Sequence, residues 1–379
     1  MKSSLKFSKL GEVSEIFAGG DKPSNFSLVK DKGHQVPVFA NGETNLGLQG
    51  FTDKAKVKQP AVTVSARGTI GYAVLREESF VTIVRLLTLI PDEKKLDVRY
   101  LYYYLTLYRQ AGLGSSQPQL TVPDIANRKI SIHDLSAQQA IGKTLSIFDK
   151  KIELNNKINT ELEQMAKTLY DYWFVQFDFP DADGKPYKSS GGAMVYNEEL
   201  KREIPKYWEV KKLGDVLEIY QPQTISDKDC IENGKYFVHG SNGIIGKYDK
   251  FNHEESEIIV SCRGDCGNIH RTLPKMWITG NAMVFKMKDK SIHNEFLYQA
   301  LQYSGIKNIS SGSVQSQITR TNVSPLKIII PEKSILHKYS DISKNIVAKK
   351  LLVQEENQKL AELRDWLLPV LMNGQVVIK

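Results

Sequence analysis

The sequence predicts an α+β protein: two tandem, pseudo-symmetric α/β bodies joined by two long helices that pair as a coiled coil. Three observations predict it. A set of short motifs occurs twice in the same order. Each copy ends in a stretch whose seam positions alternate four and three residues apart. A segment punctuated by Pro and Gly separates the copies.

The duplication organises everything else. Lys9-Leu10-Gly11-Glu12-Val13-Ser14-Glu15-Ile16-Phe17 returns as Lys212-Leu213-Gly214-Asp215-Val216-Leu217-Glu218-Ile219-Tyr220, identical at six of nine positions. Val64-Ser65-Ala66-Arg67-Gly68 returns as Val260-Ser261-Cys262-Arg263-Gly264. The run Gly114 to Thr121 returns as Gly312 to Thr319. The offsets are 203, 196 and 198 residues, a drift that loop insertions explain. A period near 200 residues is too long for a solenoid, so the chain is a pseudo-dimer in one polypeptide.

Within each copy the body comes first, over residues 1–135 and 208–332. Short strands are expected at Ala61 to Ser65 and Glu257 to Ser261, both ending in Arg-Gly turns. Helical stretches follow near Val98 to Gln110 and Asn294 to Tyr303. Return strands at Lys129 to Ile132 and Lys327 to Ile330 close the bodies.

The long helices occupy 136–176 and 333–379. The first seam reads Ile141, Leu145, Phe148, Ile152, Asn155, Asn159, Leu162, Ala166, Leu169. The second reads Ile342, Ile346, Lys349, Val353, Glu356, Leu360, Leu363, Leu367, Val370. Polar residues at mid-seam lower stability but fix register and partner. About 40 helical residues would give a rod of ~60 Å. Between the copies, 177–207 reads as an irregular linker, with Pro180, Asp183-Gly184, Pro186 and Ser189-Ser190-Gly191-Gly192.

Composition narrows the function. At 41% hydrophobic and 25% charged residues the chain is not disordered as a whole. It has no run of 18 apolar residues, and Met1 to Gly20 lacks the apolar core of a signal peptide, so neither a membrane span nor a leader is expected. Three cysteines make no disulfide framework, and a reduced cytoplasmic protein is expected. The net charge of +8 leans weakly toward an anionic partner. Body one carries 18 basic and 13 acidic residues and body two 15 and 14, so body two would need a local basic patch.

Catalytic signatures fail one by one. Gly142-Lys143-Thr144 lacks the upstream glycine of a phosphate loop, since Ala137 stands there. Asp181 with Glu199 and Lys201 mimics a nuclease core but lies in the linker. Asp181-Ala182-Asp183-Gly184 opens like a calcium loop, but Lys185 replaces an oxygen ligand. Cys262 and Cys266 match Ala66 and Ile70 in the first copy, so small core residues explain them better than a metal. No two prolines are adjacent, which removes the Asp/Asn-Pro-Pro-aromatic loop of adenine methyltransferases. No cofactor or metal is expected in this chain, and a binding protein is favoured over an enzyme.

The candidate contacts are the duplicated polar residues. Arg67 and Arg263 stand at strand-end turns, where Arg reaches phosphate or pairs with guanine; a structural ion pair is the plain alternative. Gln117 and Gln119, matched by Gln315 and Gln317, alternate as on one face of an extended segment and could read adenine, or simply face solvent. Asn41-Gly42 and Asn242-Gly243 are turn dipeptides in corresponding places with different neighbours. Two like frames with unlike loops would read two different half-sequences. Tyr100, Tyr104 and Tyr108 share helical spacing with leucines and are expected in the core.

These residues resemble the specificity subunit of type I restriction–modification enzymes. The resemblance rests on the Lys-Leu-Gly-Glu/Asp-Val openings, on Tyr172-Trp173-Phe174-Val175 and Phe177-Asp178-Phe179-Pro180, on Ile204-Pro205-Lys206-Tyr207-Trp208, and on the paired helices. Tyr207 departs from the glycine common before that tryptophan. The resemblance implies two target recognition domains that each read half of a split, asymmetric site in double-stranded DNA. It implies helices that pack as an antiparallel coiled coil and set the gap between half-sites. It also implies two methylation subunits binding S-adenosylmethionine, and restriction subunits using ATP and Mg. The rivals are a two-module coiled-coil interaction scaffold without DNA sequence specificity, and a self-contained nuclease.

Overall fold

The computed structural model describes residues 6–109, 119–309 and 317–376. Its chain forms two compact units, Met1–Leu154 with Glu356–Lys379, and Asn155–Glu355.

In unit 1 a four-stranded antiparallel sheet runs in the order Ser14–Ala18, Leu87–Pro91, Ala61–Val64, Ala73–Arg76. The run Ala61–Val64, β-branched from Val62 onward, is buried on both faces and occupies an inner position. A second sheet orders Phe26–Ser27, Leu48–Thr52, Val36–Phe39 and Val81–Thr82, the last parallel to its neighbour. A ribbon pairs Lys6–Lys9 with Lys129–Ile132. Helix Val98–Leu107 is capped by Asp97, whose carboxylate accepts from the N–H groups of Arg99 and Tyr100. Tyr100 and Tyr104 are buried, and their hydroxyls donate to the carbonyls of Ser131 and Lys129. They are core residues, as their leucine neighbours require.

Unit 2 repeats the plan. Its four-stranded sheet runs Leu217–Tyr220, Ala282–Met287, Ile258–Ser261, Ile269–Arg271. Its second sheet keeps three strands, Ile244–Tyr248, Tyr236–His239 and Trp277–Ile278, with the same parallel pair at its end. The ribbon pairs Glu209–Lys212 with Lys327–Ile330. Helix Asn294–Tyr303 stands where Val98–Leu107 stands in unit 1. It buries Glu295, which pairs with Arg271 of the adjacent strand.

Helix Leu135–Tyr170 continues into a π-helical turn at Asp171–Val175, and the second long helix spans Lys333–Met372 with Pro369 in its last turns. In unit 1 their partners run antiparallel: His133 faces the carbonyl of Met372 at 3.1 Å, Asp149 pairs with Arg364 at 2.6 Å and Lys151 with Glu356 at 3.5 Å. In unit 2, Glu163 pairs with Lys350, and the rings of Tyr170 and Tyr339 lie 6.3 Å apart. On the first helix Ile141, Leu145, Asn155 and Ala166 are buried, and Phe148, Ile152, Leu162 and Leu169 are half-buried. Gly142 allows close approach, since a Cβ there would lie 2.8 Å from the Arg99 Cβ.

The second helix differs from the sequence reading. Ile342 and Leu363, placed on its seam, are each 45% exposed. The inward stripe falls mostly one residue later, through Ser343, Val347, Lys350, Asn357, Arg364, Leu368 and Leu371, with Val353 and the half-buried Ile346, Leu360 and Leu367 beside it. The reason is chemical. This stripe holds Lys350 and Arg364 because Glu163 and Asp149 face them, so apolar residues alone misplace it.

The segment 177–207 is also folded rather than irregular. Met194–Asn197 and Arg202–Pro205 form an antiparallel hairpin. Phe177, Phe179, Ile204 and Trp208 are buried in a core cluster with Tyr170, Trp173, Phe174, Phe296 and Tyr339. Aromatic burial outweighs the turn-rich composition here. Phe174 lies at the centre, with its ring centroid 4.9 Å from that of Tyr339, 5.2 Å from Phe296 and 5.7 Å from Trp208.

Phe174→Ala should cost unit 2 about 3–5 kcal/mol, read from urea unfolding of the full chain. Burial also lowers the pKa of His239, His253, His270 and His293, that of His253 to about 4 from 6.5. Below pH 6.5 the unfolded chain takes up these protons first, so stability falls as pH drops toward 4 and is fully present above 6.5. Thermal unfolding at pH 7.5 and 5 should show this loss, and His253→Gln should shrink it.

Candidate nucleic-acid interface

One loop is built twice. In unit 1 the strands Ala61–Val64 and Ala73–Arg76 are joined by residues 65–72, and in unit 2 Ile258–Ser261 and Ile269–Arg271 by the equivalent 261–268. Ser65 N–H donates to Tyr72 O and Gly71 N–H to Ser65 O, both at 2.9 Å. Ser261 N–H to Asn268 O and Gly267 N–H to Ser261 O repeat them, also at 2.9 Å. Gly68 and Gly264 have φ of 69° and 75°, the left-handed backbone that turns the chain just after each arginine. Arg67 and Arg263 are exposed at the two loop tips.

The glutamines return beside these loops. Leu120 N–H donates to Ala66 O at 2.9 Å, and Ile318 N–H to Cys262 O at 3.2 Å. Gln119 Oε1 accepts from Arg67 Nε at 3.2 Å and Nη2 at 2.9 Å. In unit 2 Gln317 and Arg263 pair as a backbone bridge. Gln117 and Gln315 lie outside the described residues. Arg263 is thus held by a backbone bridge and Arg67 by a neutral amide rather than an acid, which leaves the charge available to an anion.

The Asn-Gly turns lock the same loops. Asn41 Oδ1 accepts from Ala66 N–H at 2.7 Å, and its Nδ2 donates to Val84 O at 2.6 Å. Gly42 N–H reaches Ser65 Oγ at 3.3 Å. In unit 2 Asn242 Nδ2 donates to Asp265 O at 3.1 Å, and Ser241 Oγ to Arg263 O at 2.7 Å. Asn41 and Asn242 therefore act first as clamps.

The surroundings differ between copies. The hairpin loop beside Arg67 runs from Ala40 to Gly47, closed by Ala40 N–H to Gly47 O at 2.9 Å; its twin runs only from Gly240 to Gly243, closed at 2.8 Å. Glu43 of the longer loop pairs with Arg109 at 3.1 Å. In unit 2 Asn268 Nδ2 donates to Asn242 Oδ1 at 3.0 Å, and His270 Nε2 lies 3.4 Å from the same oxygen. Sequence reasoning missed Asn268 and His270. Their positions opposite Tyr72 and Val74 in the aligned strands were the available signal. Cys262 is buried, which pushes its thiol up to about 12, and among the described residues no cluster of His, Cys, Asp or Glu is placed to hold a metal. Among the described residues no helix is long and apolar enough to cross a membrane.

A duplicated frame that sets an arginine loop amid unlike polar neighbours defines a two-module recognition protein. The family described as the type I restriction modification DNA specificity domain matches residues 2–164 and 205–362, and the chain belongs to that family. It is similar to the type I restriction enzyme MjaIX specificity subunit of Methanocaldococcus jannaschii, 27% identical over 98% of this chain and 93% of the relative. The type I restriction enzyme HindI specificity subunit of Haemophilus influenzae is 26% identical over 68% of this chain and 71% of its own length. The crystal structure of the S subunit of a type I restriction–modification system from M. genitalium has the same fold, with a TM-score of 0.65 at 19% identity, covering 97% of this chain and 96% of that one. The protein is accordingly the non-catalytic DNA specificity subunit of a type I restriction–modification system, with DNA and the other subunits of that system as its partners. An interaction scaffold without DNA specificity is not favoured.

The clamp role of Asn41 is testable by itself. Asn41→Ala strands the Ala66 N–H and the Val84 carbonyl and should lower stability by about 1–3 kcal/mol, measured by chemical denaturation.

Proposed function

We propose that residues 1–135 and 208–332 are the two target recognition domains and that each reads one half of a split, asymmetric site. The helical segments 136–176 and 333–379 serve as spacers that fix the gap, with 177–207 connecting the copies. Two methylation subunits, carrying S-adenosylmethionine, and restriction subunits using ATP and Mg assemble on this chain in the cytoplasm. The helix residues Ile141, Leu145, Phe148, Ile152, Leu162, Leu169, Ile346, Val353, Leu360 and Leu367 hold the spacer together, whereas the exposed Ile342 and Leu363 are free to meet a partner.

The observation that carries this reading is the repeated Arg-Gly loop. Arg67 and Arg263 occupy the same place in the same backbone, exposed, with different side chains around them. Phosphate contacts would position each domain, while base-edge contacts from Arg67, Gln119, Arg263 and Gln317 would specify the sequence. Gln117 and Gln315 belong to the same candidate segments, and Asn41 and Asn242 hold the loops in place.

The test is a map of methylated adenines in a host carrying this chain and its methylation partner. Arg67→Ala should weaken discrimination at one half-site by about 1–3 kcal/mol, and Arg263→Ala at the other. If both variants fold and methylate the same site as the unaltered chain, neither arginine reads DNA.

A further inference from the structure

We infer that the Val84–Arg85 turn of unit 1 is a second DNA-reading element, set beside Arg67 and absent from unit 2. The inference rests on the DNA-reading function proposed above and adds two residues to it. The turn is closed by Leu86 N–H donating to Ile83 O at 3.1 Å. Its two central residues, Val84 and Arg85, have φ of 52° and 59°. Turns with both central residues left-handed select Asn and Gly, because a Cβ is crowded there, and a β-branched residue is a clear outlier. Such backbone costs folding free energy and persists where something else requires it.

Unit 2 closes the same turn without it. The corresponding turn of unit 2 runs from Thr279 to Ala282, closed by Ala282 N–H to Thr279 O at 3.0 Å. The incoming chain is held alike in both, by Ile83 N–H to Phe39 O at 2.9 Å and by Thr279 N–H to His239 O at 3.0 Å. The unit 2 turn carries Gly280-Asn281, and neither has a positive φ. It is also covered: a Cβ on Gly280 would lie 2.5 Å from Thr224 Oγ1 and 2.8 Å from Pro222 O. One fold therefore closes this turn twice, once with a buried Gly280 in ordinary backbone and once with two exposed side chains on left-handed backbone.

Within unit 1 the turn's backbone is held by Val84 N–H donating to Gly20 O at 2.9 Å and Arg85 N–H to Gly19 O at 3.0 Å, but its two side chains stay outside. Val84 is 57% exposed, so its methyl groups gain little from burial. Arg85 is exposed and makes no side-chain hydrogen bond or ion pair among the described residues. The turn is instead tied to the recognition loop: Asn41 bonds Val84 O at 2.6 Å through Nδ2 and Ala66 N–H at 2.7 Å through Oδ1, one residue before Arg67. An apolar tip and a free guanidinium are thus presented next to Arg67. That pair suits the major-groove edge of duplex DNA, where valine meets a thymine methyl and arginine a guanine edge or a phosphate.

The experiment compares the full chain with a Val84→Gly/Arg85→Asn double variant, which carries the residues of the unit 2 turn, and with Arg85→Ala. Each is expressed with its methylation partner, methylated adenines are mapped, and the purified chains are melted. The double variant should melt at the same temperature or higher. It should lose at least tenfold in discrimination at one half-site, the one affected by Arg67→Ala, with the other half unchanged. Arg85→Ala should show a smaller loss at that same half. Unchanged discrimination in both variants would overturn the inference, as would a melting temperature lowered by several degrees in the double variant, which would make the turn a structural element. A failure of the unaltered chain to direct methylation to any defined split site would instead overturn the DNA-reading function beneath it.

Discussion

The structure depends on one backbone requirement: an eight-residue connection must leave a sheet, present an arginine, and return in register. Two hydrogen bonds meet it in each copy, from Ser65 and Gly71 in unit 1 and from Ser261 and Gly267 in unit 2. Left-handed glycines at 68 and 71, and again at 264 and 267, make the path accessible without side-chain clash. The strand behind the loop is buried on both faces, so its register cannot slip without exposing the core. The backbone of each arginine is therefore placed by the frame, whatever its side chain touches.

That separation lets one fold serve two addresses. The loops that change between copies are those whose ends are fixed. The 40–47 hairpin loop and its shorter twin at 240–243 close on equivalent hydrogen bonds, so the difference in length alters only what is displayed. The same holds across the strand pair, where Tyr72 and Val74 give way to Asn268 and His270. Electrostatics supports this division. A deeply buried ion pair of unit 2, Arg271 with Glu295, joins strand to helix inside the frame, while Arg67 and Arg263 remain exposed. A buried charge with its partner specifies geometry, whereas an exposed one can be spent on a ligand.

Much of this was legible in the sequence because duplication supplies its own control. A strand or turn that recurs at the same offset is read twice, and Lys129–Ile132, Lys327–Ile330 and Asn294–Tyr303 lie where the repeats placed them. What escaped notice lacked that control. The 177–207 segment occurs once, and its glycines and prolines hid a hairpin and three buried anchors, Phe177, Phe179 and Ile204. The inward stripe of the second helix is partly charged, so apolar periodicity favoured Ile342 and Leu363, which face outward. Arg85 was visible as a lone charge in the apolar run from Val81 to Ile90, but sequence cannot report a left-handed backbone.

The charged stripe also explains how long helices with modest apolar content hold a register. Lys350 opposite Glu163 and Arg364 opposite Asp149 are half-buried, so shifting either helix by one residue would leave a charge without its partner in a partly dry seam. That penalty exceeds what the matched pairs contribute to stability, which makes them devices of specificity more than of strength. An all-leucine seam would bind more tightly yet tolerate neighbouring registers. For helices whose role is to fix a distance, tolerance of register is the failure that matters, and a few paired charges among apolar residues such as Leu145, Val353 and Leu368 guard against it.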